Sequence, residues 1–230
     1  MYRSALILII GCLFSFPALS AGANDSPMVW RVKDLVGAPM DVIKLRDERE
    51  RVVGTVQTKQ MLLLYSAYVA IQEAAEIYAE LFIVGEKAPN AFATMGKVHP
   101  DDEEERNIIG FTFGMLDMIG MDVDAAAAII GHELAHLKLN HHEERKEAMK
   151  KSRNTSFTAS ATKYTRDNER ESDYLGAIWS VEAGYDPAGA VRVHEKLYKV
   201  NKRNVGFSGS HPSSIERLTI LKSLVRRLSK

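Results

Sequence analysis

Hydrophobic residues are spaced in three ways along this chain, and each predicts a different kind of element. Ala5 to Leu19 is an almost unbroken apolar run behind Arg3. Thr58 to Ala75, rich in Leu, Tyr, Ala and Gln with no Gly or Pro, predicts a buried amphipathic helix. Glu80-Leu-Phe-Ile-Val-Gly is a short run of strand formers stopped by Gly85 and Pro89. Pro89 to Gly96 and Asn107 to Gly114 predict two more strands. Between them lies the like-charge block Asp101 to Glu105, a solvated loop whose functional reading is repulsion of acidic substrates. Met115 to Ile119 fits a short helix before the turn Gly120-Met121-Asp122. In residues 24–57, Asp41-Val-Ile-Lys-Leu-Arg and Arg51-Val-Val-Gly-Thr-Val are two short strands or a broken helix, and periodicity does not decide.

The second half is helical in pattern. A helix is expected from Asp122, an N-cap residue type with Asp124 in the first turn, continuing without a break to Lys151. Asn154 to Thr165 is expected as a Ser/Thr-rich loop or disordered crossing. Asp167 to Ala183 is the next helix, closed by Gly184, with Pro187 opening another. Pro187 to Val200 and Ser214 to Leu228 are amphipathic with basic outer faces. The loop Asn201 to Ser210 between them leads to His211-Pro212. These elements predict an α+β domain, mostly helical with a small mixed β-sheet.

Composition adds boundaries. The chain has 230 residues, 46% hydrophobic and 26% charged, enough for one good core; its formal net charge of zero gives no reason to expect nucleic acid. Met1 to Ala23 has the basic start, apolar centre and Ala21-Gly22-Ala23 ending of a signal peptide, so residues 24–230 are expected as a single exported, periplasmic domain. The single cysteine, Cys12, sits in Ile9-Ile10-Gly11-Cys12, which resembles a lipobox; the alternative is therefore a lipid-anchored chain in contact with the membrane. Without further cysteines, disulfide staples and a cysteine-type zinc site are excluded.

The chemistry concentrates in Gly131-His132-Glu133-Leu134-Ala135-His136. Residues four apart on a helix share a face, so His132 and His136 can take two corners of a zinc tetrahedron, with Glu133 beside them as proton carrier. For the third ligand, His142 has the ten-residue spacing of a longer motif, but that motif needs Gly where Leu139 stands. On an unbroken helix His142 points away. Glu169 and Asp173 share a face with Ser172, Gly176 and Ser180, small residues that let two helices approach closely. Spacing favours Glu169 as ligand and Asp173 as the acceptor of a ligating histidine's N–H. Glu171 heads a stripe of Tyr174, Leu175 and Ile178, read as core or interface, and His194 is read as a helix-surface residue.

The chain resembles metallopeptidase family forty-eight, the HtpX-like and BepA-like zinc metallopeptidases. The resemblance rests on Asn90-Ala91-Phe92-Ala93, Gly114-Met115-Leu116, and Gly131 to His136 with His141 following. It continues through Asn168 to Asp173, Gly184-Tyr185-Asp186-Pro187, and His211-Pro212 with Arg217. It implies a zincin-like (gluzincin) fold, one zinc per chain, and the pattern Glu-x-x-x-Asp at Glu169 and Asp173. It raises His211 to an active-site group, either an oxyanion donor or a fourth zinc ligand that holds the enzyme latent. The expected function is a zinc-dependent metalloendopeptidase in which Glu133 takes the proton of the attacking water. Asn90, Ala91, Phe92, Ile109, Gly110 and Phe111 are expected to bind substrate, the strand Ile108 to Phe113 acting as an edge for β-augmentation. Protein or peptide substrates are expected, with misfolded envelope proteins suggested by the resemblance. The alternative is a zinc-stabilised periplasmic chaperone or binding protein with latent or vestigial proteolysis.

Overall fold

The computed structural model describes residues 28–47, 49–97, 102–141, 143–144, 147, 158–203 and 215–228. The expected leader with Cys12, His142 and the His211-Pro212 pair lie outside the described residues.

The elements run β1 (Val29–Arg31), α1 (Val32–Leu35), β2 (Val42–Arg46), β3 (Val52–Gln57), α2 (Thr58–Ala75), β4 (Glu80–Val84), β5 (Ala91–Gly96) and β6 (Arg106–Thr112). Then follow α3 (Phe113–Ile119), α4 (Val123–Lys138), α5 (Thr158–Glu182), α6 (Ala188–Arg203) and α7 (Ile215–Leu228). The class is α+β. The chain divides into two compact units: residues up to Ser66 with Ala79–Met121, and Ala67–Tyr78 with Asp122 onward.

In the first unit, a mixed sheet has the order β1-β4-β6-β5, with β4 and β6 parallel and the other pairs antiparallel; β2 and β3 form a separate hairpin. The ambiguous stretch before residue 57 is thus strands, and Ile43 and Leu45 alternate inward as a one-sided hairpin requires. The near-continuous burial of β4 and β6 is that of strands covered on both faces. This corrects the expectation of an edge at Ile108 to Phe113. β6 is hydrogen-bonded on both sides, and Phe113 already begins α3. β5 is the outer strand on that side. Gly110 faces Phe92 across the β5–β6 ladder, where a Cβ would come within 2.3 Å of the ring, so the glycine makes room for a core aromatic. Thr112 caps α3 by accepting from Met115 N at 3.1 Å. At the other end, Gly120 leaves the helix at φ +58, and Gln60 Nε2 donates to the carbonyls of Leu116 and Gly120 at 2.8 and 2.9 Å.

In the second unit, α4 starts as expected: Asp122 Oδ1 accepts from Ala125 N at 3.1 Å. It does not run on to Lys151. Lys138 is its last residue, and Asn140 adopts φ +53, the left-handed conformation that asparagine tolerates best after glycine. α5 begins at Thr158, well before Asp167; nothing between Ser152 and Leu175 is Gly or Pro to interrupt it. It closes on Gly184 at φ +83, with Tyr185 N donating to Ser180 O at 2.8 Å and Gly184 N to Val181 O at 3.0 Å. Ala128, Ala177, Ala190, Leu221 and Leu224 pack α4 to α7 into one core.

Candidate metal centre

Two glycines set how close α4 and α5 come. A Cβ on Gly131 would lie 2.9 Å from Gly176 Cα, and one on Gly176 would lie 2.7 Å from His132 N. This contact, foreshadowed by the small-residue face of α5, brings acidic side chains of α5 against the histidines of α4. His132 Nε2 lies 3.0 Å from His136 Nε2 and 3.4 Å from Glu169 Oε2, and His136 Nε2 lies 3.5 Å from Glu169 Oε1. Ligands on a tetrahedral ion with bonds of about 2.0–2.1 Å are about 3.3–3.4 Å apart. One ligand atom from each of the three residues fits within a 4.8 Å span. Two imidazoles and a carboxylate with these separations fit a metal ion.

The surroundings orient the donors. His132 Nδ1 lies 3.0 Å from Asp173 Oδ1 and donates to it, so Nε2 is the nitrogen a metal would take in place of a proton. Arg217 grips Asp173 with two bonds, Nε to Oδ2 at 2.6 Å and Nη2 to Oδ1 at 2.7 Å, and its Nη1 lies 2.5 Å from Glu169 Oε2. His194 Nε2 reaches Asp173 Oδ1 at 3.4 Å. Glu133 is 2% exposed. Burial works to neutralise these groups and loses where partners are charged. Desolvation opposes the His132 cation, yet Asp173 and Glu169 push its pKa up to about 9. Burial likewise opposes the Asp173 carboxylate, yet Arg217 and His132 hold its pKa well below the usual range. Burial also opposes the Arg217 cation, yet Asp173 and Glu169 raise its pKa further. His194 goes the other way: burial and the Arg217 cation lower it. Desolvation lowers His141 too.

The structure brings His132, Glu133, His136, Glu169 and Asp173 together within the second unit. Asn90, Ala91, Phe92, Ile109, Gly110 and Phe111 belong to the first. Asn90 is anchored to Thr112, its N accepted by Oγ1 at 2.9 Å and its O taking Thr112 N at 3.0 Å. Glu171 is exposed rather than core, with Tyr174 51% exposed beside it. His194 is buried, correcting its reading as a surface residue. The signal lies in Ala190, Val193 and Leu197, whose spacing puts His194 on the apolar stripe of α6. Arg217 carries the same signal: it lies four residues before Leu221 on the buried face of α7, and a buried cation demands a buried acid.

Histidines four apart on one helix, a carboxylate from a second and a buried glutamate beside the first histidine define a site of the metallopeptidase kind. The sequence model of peptidase family M48 matches residues 57–161 and 148–225, and the chain belongs to that family. It is similar to the mitochondrial metalloendopeptidase OMA1 of Arabidopsis thaliana, 30% identical over 178 residues covering 67% of this chain and 33% of that protein. It is also similar to the mitochondrial metalloendopeptidase OMA1 of Schizosaccharomyces pombe, 25% identical over 173 residues covering 65% of this chain and 48% of that one. The aligned part thus spans less than half of either relative.

Proposed function

We propose that the chain is a zinc-dependent metalloendopeptidase, with His132, His136 and Glu169 as the zinc ligands and Glu133 as the proton carrier. The observation that carries this is the convergence of two imidazole Nε2 atoms and a Glu169 oxygen at separations of 3.0 to 3.5 Å. A zinc ion bound there supplies a Lewis acid for the scissile carbonyl and acidifies the attacking water. Glu133 accepts that water's proton and returns it to the leaving amine nitrogen. Asp173, locked by Arg217, holds His132 in the tautomer that presents Nε2. Family membership and the likeness to two metalloendopeptidases support peptide bonds as the substrate class. The leader-like start and the family resemblance support export and a role in envelope protein quality control as part of this reading. The zinc-stabilised chaperone is the competing reading.

The test compares wild type with Glu133→Gln for zinc content and hydrolysis of an unfolded protein. Glu133→Gln should bind zinc as wild type does and lose turnover by about 10²- to 10⁴-fold. Equal turnover in the two would remove Glu133 from the chemistry. Wild type that binds zinc without cutting any peptide would favour the chaperone.

A further inference from the structure

The outer nitrogen of His132 faces a carboxylate, but that of His136 faces another imidazole. His136 Nδ1 lies 3.0 Å from His141 Nδ1, and the two rings meet edge to face with centroids 5.1 Å apart. On the far side of that ring, His141 Nε2 lies 3.4 Å from Glu171 Oε2. An ionised carboxylate only accepts, so the Glu171 contact places the His141 proton on Nε2 and leaves a lone pair on Nδ1. That lone pair takes the proton of His136 Nδ1, and His136 Nε2 is left with its own lone pair facing His132 and Glu169. Ser172 Oγ, 3.4 Å from the same His141 nitrogen, can donate to it as well.

The backbone is shaped for this contact. Five residues along an unbroken helix is about 140° round the axis, which would carry residue 141 off the His136 face. Asn140 at φ +53 breaks the helical path between His136 and His141, and His141 is 5% exposed.

We infer that His141, backed by Glu171, is a positioning residue that fixes the tautomer and ring orientation of His136, as Asp173 does for His132. The inference rests on the zinc site proposed above. It differs from the Asp173 arrangement in using a neutral acceptor, with the relay ending at a side chain that is 64% exposed.

Nitrogen-15 NMR of the metal-free protein reads the tautomers directly, and chelator competition reads zinc affinity. His136 should carry its proton on Nδ1 and His141 on Nε2. His141→Leu should weaken zinc binding about 10- to 100-fold. His141→Gln, which keeps a carbonyl acceptor, should recover most of that loss. Glu171→Ala removes only an exposed side chain, so it tests the relay even if His141→Leu does not fold; its affinity should fall between wild type and His141→Leu. A His136 proton on Nε2 in the wild type, or wild-type zinc affinity in Glu171→Ala, would overturn the relay while leaving the zinc site standing. Wild type that takes up no zinc, or takes it up equally well after His132→Ala, would instead overturn the zinc site beneath it.

Discussion

His132 holds a proton far above the ordinary histidine range, and a metal must displace it. Its folded pKa of about 9 exceeds the ordinary 6.5, so the protonated imidazole stabilises the metal-free protein. That contribution is complete below pH 6.5, where the unfolded chain is protonated too, and is lost as pH rises through about 9. Its size is on the order of 3 kcal/mol. Urea unfolding of metal-free protein should therefore show stability falling from pH 6.5 to 9, while zinc affinity rises over the same range with release of up to one proton from this group. Flat profiles for both would separate His132 from the metal. Arg217 gives a second residue-scale prediction. It is the cation shared by Asp173 and Glu169, both buried, so Arg217→Met leaves two carboxylates without it. Metal-free protein should lose about 3–5 kcal/mol of stability. A loss under 1 kcal/mol would mean that other groups compensate.

Between elements, the decisive feature is the glycine contact of α4 and α5. An Ala at position 176 would press its Cβ on the backbone of His132, pushing the helices apart and drawing Glu169 from the histidines. Gly176→Ala should cost about 1–3 kcal/mol and weaken zinc binding together. Gly184→Ala meets open space but forces alanine to a φ of +83, so it should cost about 1–2 kcal/mol with zinc affinity intact. Denaturation and chelator titration of both variants check the contrast. Features written in local chemistry were legible from the sequence: the Asp122 cap, the stop at Gly184, α2 from Thr58 to Ala75, and the small face of α5. Strand order was not, because β6 is made central by two partners whose choice no local pattern records. The end of α4 was also missed: Asn140 is one unusual φ among helix-forming neighbours, and the hydrophobic period does not register it.

For the molecule as a whole, the site was more legible than the fold around it. His132, Glu133 and His136 follow from helical spacing, and Glu169 and Asp173 from a face of small residues. The residues that brace them, the Arg217 cation and the His194 imidazole, reside on α7 and α6; the buried place of each shows in its position on an apolar stripe. No helix among the described residues is long and apolar enough to cross a membrane. All three proposed zinc ligands, and Arg217 behind them, belong to the second unit. Binding a metal there stabilises whatever part of the protein must be folded for the ligands to converge, by about 4 kcal/mol at a thousandfold excess over Kd. Hydrogen exchange with zinc and then with chelator shows where that free energy goes. The amides of α4 around His132 and of α5 around Glu169 should gain the most protection, since their contact forms the proposed site. Those of β4 and β6 should gain only what global unfolding shares with them. Protection concentrated in the sheet, with α4 and α5 unchanged, would mean that the metal sits elsewhere than on His132, His136 and Glu169.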